Sequence, residues 1–296
     1  EDDGLTKIEE DTMITIDITN GLSNNIIWSI VEDFDNNFWV STEKGLNLIS
    51  VTDSATYHIT TFGKLDGLKG VDFYPNSVCL DGQNRIWWGS GKALTMLDLN
   101  KYERVTNAPV LNINDVAIEQ TFVDYRKLKD SVANGHRVFL NETSTIPLNT
   151  ISFGDVRPFS NCPENLELPY NLNHLTFHFS AIDWSAPHKL RYKYMLEGLD
   201  KDWSPLLEDN RAIYSNLPWG TYTFKVKAIG EAQIWSDVLE YPIVIHPPWW
   251  FSWWANAIYF IVGIVSIFLI IRWRTHRLVQ HKKNLEVIVS ERTVEV

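Results

Sequence analysis

Aromatic rings set beside carboxylates and carboxamides can hold a sugar, the ring face stacking on the pyranose and the polar groups bonding its hydroxyls. The chain of 296 residues has the stock for this, with 13 Trp, 11 Tyr and 14 Phe. Trp28 and Trp88 are the candidates for ligand stacking. Trp88 follows Trp87, so in a strand the two point to opposite faces and one of them leaves its local core. Contact with a neighbouring structural unit is the competing reading for both. Covalent chemistry has less support. There is no G-x-S-x-G elbow and no assignable pair of acids, so no catalytic residue is expected. His174 and His178, four apart, share a strand face but have no neighbouring Cys or clear third ligand, and His136 and His188 stand apart. Neither a metal nor a cofactor is therefore expected. Asn141 in NETST forms a glycosylation sequon and is read as incidental.

The tryptophans sit in a repeat that must position them. GLSNNIIWSIVEDFDNNFWVSTEKGLNLIS, residues 21–50, aligns with the stretch ending PNSVCLDGQNRIWWGSGKALTMLD, residues 75–98, at an offset of 48. Asp33 falls on Asp81, Trp39 on Trp87, and Asn36 on Asn84. Each unit reads as a short apolar strand, a polar turn, a Trp-centred strand and a third strand, with Gly45 opening the last of these in the first unit. This period and rhythm predict blades of a β-propeller, with Asn accepting positive φ in the turns. Trp39 and Trp87 are assigned to blade cores, and Asp33, Gly45 and Asp81 to the repeat's structure. Two blades cannot close a ring, so the rest is expected upstream. Residues 1–110 are read as C-terminal blades of an incomplete propeller. Residues 111–150 are read as an irregular connection with propeller-closing or linking strands.

A second module spans 151–248. Alternation predicts strands at 174–183, 190–198, 211–217, 220–230 and 238–246, with ISFGDVRPF at 151–159 opening the module. Short strands broken by Pro, Gly and Asn turns predict an immunoglobulin-like β-sandwich without a Cys-Trp-Cys signature. Tyr192 and Tyr194 share one face and Tyr222 and Phe224 another, which assigns them to core packing with hydroxyls at the rim. Trp184 and Trp203 fall beside turns.

Beyond Pro247 and Pro248 the composition changes. Trp249, Trp250, Trp253 and Trp254 precede 17 uncharged residues, Ala255 to Ile271, and then come Arg272 and Arg274 in a basic run. That pattern predicts an aromatic belt and one transmembrane helix over 249–271, with residues 1–254 outside and 272–296 in the cytoplasm. A buried core helix is the alternative. The tail from Arg272 carries six basic and three acidic residues, which leaves 20 basic and 34 acidic before it, a net of −14. So acidic a body argues against nucleic acid as a partner. Cys79 and Cys162 allow one bridge at most, a buried free thiol at Cys79 being the alternative. The cytoplasmic stretch lacks helix breakers, so the spanning helix is expected to continue, with Leu278, Leu285 and Ile288 at coiled-coil-like spacings and Val287 and Val294 as a competing stripe. A parallel homodimer is expected.

These residues resemble a known architecture. VEDFDNNFWVSTEKGLNLI and LDGQNRIWWGS are similar to two-component regulator propeller repeats. The second departs from the pattern with Lys92-Ala93 after its glycine. The block from LPYNLNHLTF to FKVKAIG, followed by PPWW, resembles the tyrosine-rich Y_Y_Y module that precedes the membrane in bacterial sensor kinases. Tyr192, Tyr194, Tyr214 and Tyr222 are its tyrosines here, and LEGLDKDW, with Gly198 and Trp203, is its most recognisable turn. NLEVIVSERTVEV resembles the signalling helix that enters a histidine kinase dimerisation domain. The resemblance implies the periplasmic sensor region of an inner-membrane, single-pass histidine kinase, often a hybrid kinase detecting oligosaccharides, with the kinase expected beyond Val296. The expected architecture is thus an all-β ectodomain of partial propeller and sandwich, then one transmembrane helix and a cytoplasmic signalling helix. The expected function is ligand sensing and relay of a dimer rearrangement, with membrane lipid and an oligosaccharide as partners. A membrane-anchored glycan-capture or adhesion protein is the alternative.

Overall fold

The computed structural model describes residues 4–9, 12–53, 56–91, 93–135, 138–139 and 148–294, so the expectations at His136 and Asn141 fall outside the described residues. The hairpin of β1 (Leu5–Glu9) and β2 (Thr12–Ile16) precedes an antiparallel meander of β3 (Ile27–Glu32), β4 (Phe38–Thr42), β5 (Gly45–Asp53) and β6 (Thr56–Phe62). A three-stranded sheet follows, of β7 (Phe73–Leu80), β8 (Arg85–Ser90) and β9 (Leu94–Asp98). Strand alternation explains how these sheets stack. Trp39, Leu46 and Leu48 turn toward Phe73, Ile86 and Trp88 of the next sheet, while Val40 and Ile49 turn back toward Ile16 and Leu22. The meander is thus apolar on both faces and packed on both, as a propeller blade is between its neighbours.

The repeat's turns coincide in detail. Asn36 at φ 58° and Asn84 at φ 60° take the left-handed geometry, and Gly45 at φ 148° sits so close to the Phe62 carbonyl that a Cβ would collide with it. The sequence reading gave each unit three strands, and the first has a fourth, β6. Its TYHITTF lacks an apolar alternation strong enough to mark it. The outer face of the second sheet is open: Cys79, Leu94 and Met96 are exposed and Trp87 is half-buried. Cys79 is therefore neither buried nor bridged, and Cys162, on the sandwich, is a separate buried thiol pushed up to about 11 by burial.

The sandwich has two sheets. β10 (Val110–Ile118), β12 (Leu175–Ile182) and β14 (Arg211–Tyr214) form one, in the order β10-β12-β14. β11 (Leu166–Leu168), β13 (Arg191–Glu197), β15 (Gly220–Ile229) and β16 (Leu239–Ile245) form the other, in the order β11-β16-β15-β13. Between them Phe177 stacks on Phe224 at 4.2 Å, with Phe179, Leu175, Val226 and Tyr241 buried around the pair. One expectation needs correction. Residues 110–118, read as the start of a connection with propeller-closing or linking strands, do form a strand, but it is an edge strand of the sandwich, paired with β12 from Val110↔Ile182 to Ile118↔Leu175. Residues 151–159 open the module as an irregular segment tied to it by the bridges Ser152↔Glu167 and Val156↔Pro163. The polar 125–133 stretch is a helix, α1 (Tyr125–Ala133), capped by Asp124 and anchored by buried Tyr125 and Leu128.

α2 (Trp253–Val294) runs 42 residues without a break. Trp253–Leu278 is long and apolar enough by length and composition to cross a membrane; its most apolar 18 residues have a mean hydropathy of 2.3 and are almost wholly exposed, which is not the burial of a core helix.

Candidate functional site

Each repeat carries the same clamp. Asp33 accepts hydrogen bonds from the backbone N–H of Asp35 and Asn37, from the Asn37 amide and, at 3.0 Å, from Trp39 Nε1. Asp81 accepts from the N–H of Gln83 and Arg85, from the Arg85 guanidinium and, at 2.9 Å, from Trp87 Nε1. The tryptophan donor, followed by Arg85 and the turn amides, holds the Asp81 carboxyl well below the usual carboxylate range. A buried indole needs an acceptor and a tight turn needs its free amides satisfied; one carboxylate does both.

Trp28 and Trp88 do not form a sugar platform. Trp88 is 1% exposed and its ring lies 6.0 Å from that of Trp39, because the alternation of β8 turns it back toward the first blade. Trp28 is half-buried against the same cluster. Trp87 points the other way, beneath Arg85, whose guanidinium lies 5.4 Å from the ring centre.

The blade and the sandwich meet at a polar seam that the sequence did not mark. Lys189, in a 3-10 turn at Pro187–Lys189, reaches Asp66 of the blade at 2.8 Å and Glu231 of the sandwich at 2.9 Å, and its ammonium lies 4.7 Å from the Phe62 ring centre. His188 Nε2 stands 3.2 Å from the same Asp66 carboxylate. Burial would raise the Asp66 carboxyl, but the hydrogen bonds from Lys189 and Gly63 and the charges of Lys189 and His188 outweigh it, and the carboxyl lies below its ordinary range. Burial, with the nearby Glu231 carboxylate, pushes the Tyr102 hydroxyl up to about 12. Beside this latch is a cleft of about 390 Å³, whose lining includes Asn20, Tyr57, His58, Thr60, Arg191 and Gln233. Tyr57 Oη and His58 Nε2 are themselves buried, without a partner among the described residues. The cleft offers several hydrogen-bonding groups to a hydroxylated ligand. No single segment could have revealed it, because its walls come from residues more than a hundred positions apart.

In the tyrosine module the hydroxyls close turns. Tyr214 donates to Asp200 at 2.7 Å, and the same Asp200 oxygen accepts from Leu196 N–H, fixing the 197–203 turn in which Gly198 sits at φ 100°. Tyr222 donates to the Pro218 carbonyl at 2.9 Å, and Tyr192 accepts from Ala181 N–H. Tyr194 packs on Phe179 and Phe224. Trp203 covers Lys227, 4.4 Å from ring centre to ammonium, and Trp184 is 91% exposed. His178 is held by Asp115 at 2.8 Å.

The passage from sandwich to helix is short and pinned. His246 N–H donates to the Leu168 carbonyl, and its Nε2 lies 2.9 Å from Glu167. Trp249 to Phe251 form a 3-10 turn after Pro248. Within it Trp250 meets Tyr170 edge-on at 5.1 Å, Phe251 meets Trp219 at 6.1 Å, and Trp249 stacks on Trp254 at 5.9 Å. Arg272 and Arg274 lie on α2, after its uncharged stretch.

Comparison with known proteins agrees with this order of modules. Residues 184–246 match the Y_Y_Y domain family, and residues 21–44 match the two component regulator propeller family. The histidine kinase P4 of Formosa agariphila is 24% identical over 298 aligned residues, which take in 99% of this chain and 20% of that protein. The chain thus spans about a fifth of the length of the curated relative it matches. A crystal structure described as the extracellular domain of a hybrid two component system, BT3049, from B. thetaiotaomicron superposes with a TM-score of 0.59 at 24% identity, covering 83% of this chain and 30% of that one. That likeness shows the fold, a propeller-like region followed by a sandwich. The chain resembles the sensor region of a two-component regulator propeller histidine kinase, and it is membrane-anchored through α2.

Proposed function

We propose that the chain is the sensory and signal-transmitting part of a membrane histidine kinase, with residues 1–254 in the periplasm, α2 crossing the inner membrane, and residues 272–296 leading in the cytoplasm toward an output domain. A solute, an oligosaccharide by preference, binds the propeller or the cleft beside Lys189 and favours one packing of two sandwiches in a homodimer. The paired helices carry that rearrangement across the bilayer. Such a ligand acts only through different affinities for the two arrangements, and a separation of a few kcal/mol, of order 2–3, is sufficient.

The observation that carries this reading is the pinned junction. β16 ends at Ile245 and α2 begins at Trp253, and the residues between them are held by Leu168, Glu167, Tyr170 and Trp219. Pro247 and Pro248 fix φ and leave little slack. A displacement of the sandwich then moves the helix. Glycines inserted between His246 and Pro247 of the full-length receptor test it: ligand binding is expected to persist while ligand-dependent phosphorylation falls, and undiminished signalling overturns the coupling.

A further inference from the structure

Both sandwich loops that hold the junction carry aromatic side chains that keep part of their surface in solvent. Trp219 is 55% exposed and Tyr170 is 38% exposed, although each touches one ring of the 249–251 turn. Sheet register places them at one end of the module. Gly220 and Leu168 both pair with Ile245, so Trp219 and Tyr170 leave the sheet where the chain itself leaves it toward α2.

Helix length then sets their height. Trp253 to Ile271 is 19 residues of continuous helix before Arg272. At 1.5 Å per residue this is about 28 Å, close to the roughly 30 Å thickness of a hydrocarbon core. With Arg272 at one boundary, Trp253 is at the other, and no turn of helix is left over to lift the sandwich clear. Rings in contact with Trp250 and Phe251 therefore fall within the headgroup layer, about 5–8 Å deep on each side. Trp and Tyr suit that layer, because each has an apolar body and a polar edge.

We propose that the helix-side end of the sandwich is itself seated in the outer leaflet of the bilayer through Trp219 and Tyr170. The occupant of this surface is the phospholipid interface. The module is then held at its base as well as tethered, and its tilt against the bilayer is restrained by two separate loops at that end, one after β11 and one before β15.

The test uses the 296-residue chain in phosphatidylcholine nanodiscs. With Cys79→Ser removing the exposed thiol and Cys162 remaining buried, single cysteines at Trp219→Cys, Tyr170→Cys, Trp253→Cys and Trp184→Cys carry an environment-sensitive fluorophore. Headgroup-spin-labelled lipid is the quencher. Trp184 is on the turn after β12, at the opposite end of the sheet from Leu175, and reports bulk solvent. The expected result is a loss of fluorescence at positions 219 and 170 comparable with that at 253, and none at 184. The two loops are independent, so a folding failure of one variant leaves the other informative. Labels at 219 and 170 as bright as the one at 184, with 253 quenched, overturn the proposal.

Discussion

The indoles of Trp39 and Trp88 meet at 6.0 Å and 57° between the two blades, although they are not equivalent positions of the repeat. Trp39 corresponds to Trp87; Trp88 corresponds to Val40. Because neighbouring blades present opposite faces to each other, the residue at Trp39 of one unit packs on the residue at Trp88 of the next. Trp88 Nε1 has no hydrogen-bond partner among the described residues, so the ring contributes through its apolar surface. Trp88→Ala is expected to cost about 3–5 kcal/mol, the range for deleting a buried aromatic. Trp88→Phe removes an unsatisfied donor along with some volume and is expected to cost less than about 1.5 kcal/mol. Urea unfolding of both variants in detergent checks the contrast.

The two clamps are expected to respond unequally. Asp33→Ala leaves the buried Trp39 Nε1 without its acceptor and frees two turn amides, a loss of about 2–4 kcal/mol. Asp81→Ala is expected to destabilise less, since Trp87 is half-exposed and water can replace the carboxylate. Melting temperatures of the two variants, with Asp33 the lower, are the measurement. Equal losses would mean that turn geometry, and not indole burial, dominates.

How much of this was legible in the sequence follows from the range of each interaction. Asp33 and Trp39 are six residues apart and recur 48 residues on, so spacing marks them as equivalent repeat positions but not as hydrogen-bond partners; the strands from Leu175 to Ile245 begin and end within one residue of their expected places, except that β14 stops at Tyr214, three residues short of the expected 217. β10 falls where a linking strand is expected, but its membership in the sandwich is not legible because its partner β12 lies more than 55 residues away. α1 was missed because only Tyr125 and Leu128 are buried on it, too few for a periodic stripe. Trp88 could be given two faces by the pleat, but which face met another blade depended on stacking. The seam at Lys189 joins residues 66, 189 and 231, and no local pattern connects them.

Tyr214 tests the turn of the tyrosine module. Tyr214→Phe keeps the ring packed on Phe177 and Phe224 but removes the 2.7 Å hydrogen bond to Asp200. A loss of about 1.5–3 kcal/mol is expected, as for hydrogen bonds to charged groups. Burial, followed by the bond to Asp200, raises the hydroxyl well above its ordinary value of 10.0. A raised value means that the contribution is whole below pH 10.0 and declines as pH rises beyond it. The variant should therefore lose stability less steeply than the parent in alkaline solution, which thermal melts between neutral pH and pH 11 would show.

The latch at Lys189 makes the seam between blade and sandwich sensitive to acid. Lys189 neutralises Asp66 and Glu231 together, and all three side chains are about 12–15% exposed. Lys189→Met keeps the stem over Phe62 but leaves two carboxylates facing each other across the seam. About 2–3 kcal/mol of inter-module stability should be lost, short of the 3–5 kcal/mol found when a fully buried pair is broken. For pH the sign follows from Asp66, whose carboxyl is lowered from 3.8 in the folded chain. A lowered carboxyl contributes stability that is present above 3.8 and is lost as pH falls through its folded value. Hydrogen exchange of the 57–62 and 187–191 segments is the direct measurement, because opening of the seam exposes both without unfolding either module. Protection is expected to hold from neutral pH to just above 4 and to fall below it, while Asp66→Asn shows weaker protection at neutral pH and a shallower acid dependence. An Asp66→Asn profile that parallels the parent's would show that other carboxylates, and not this latch, set the acid response.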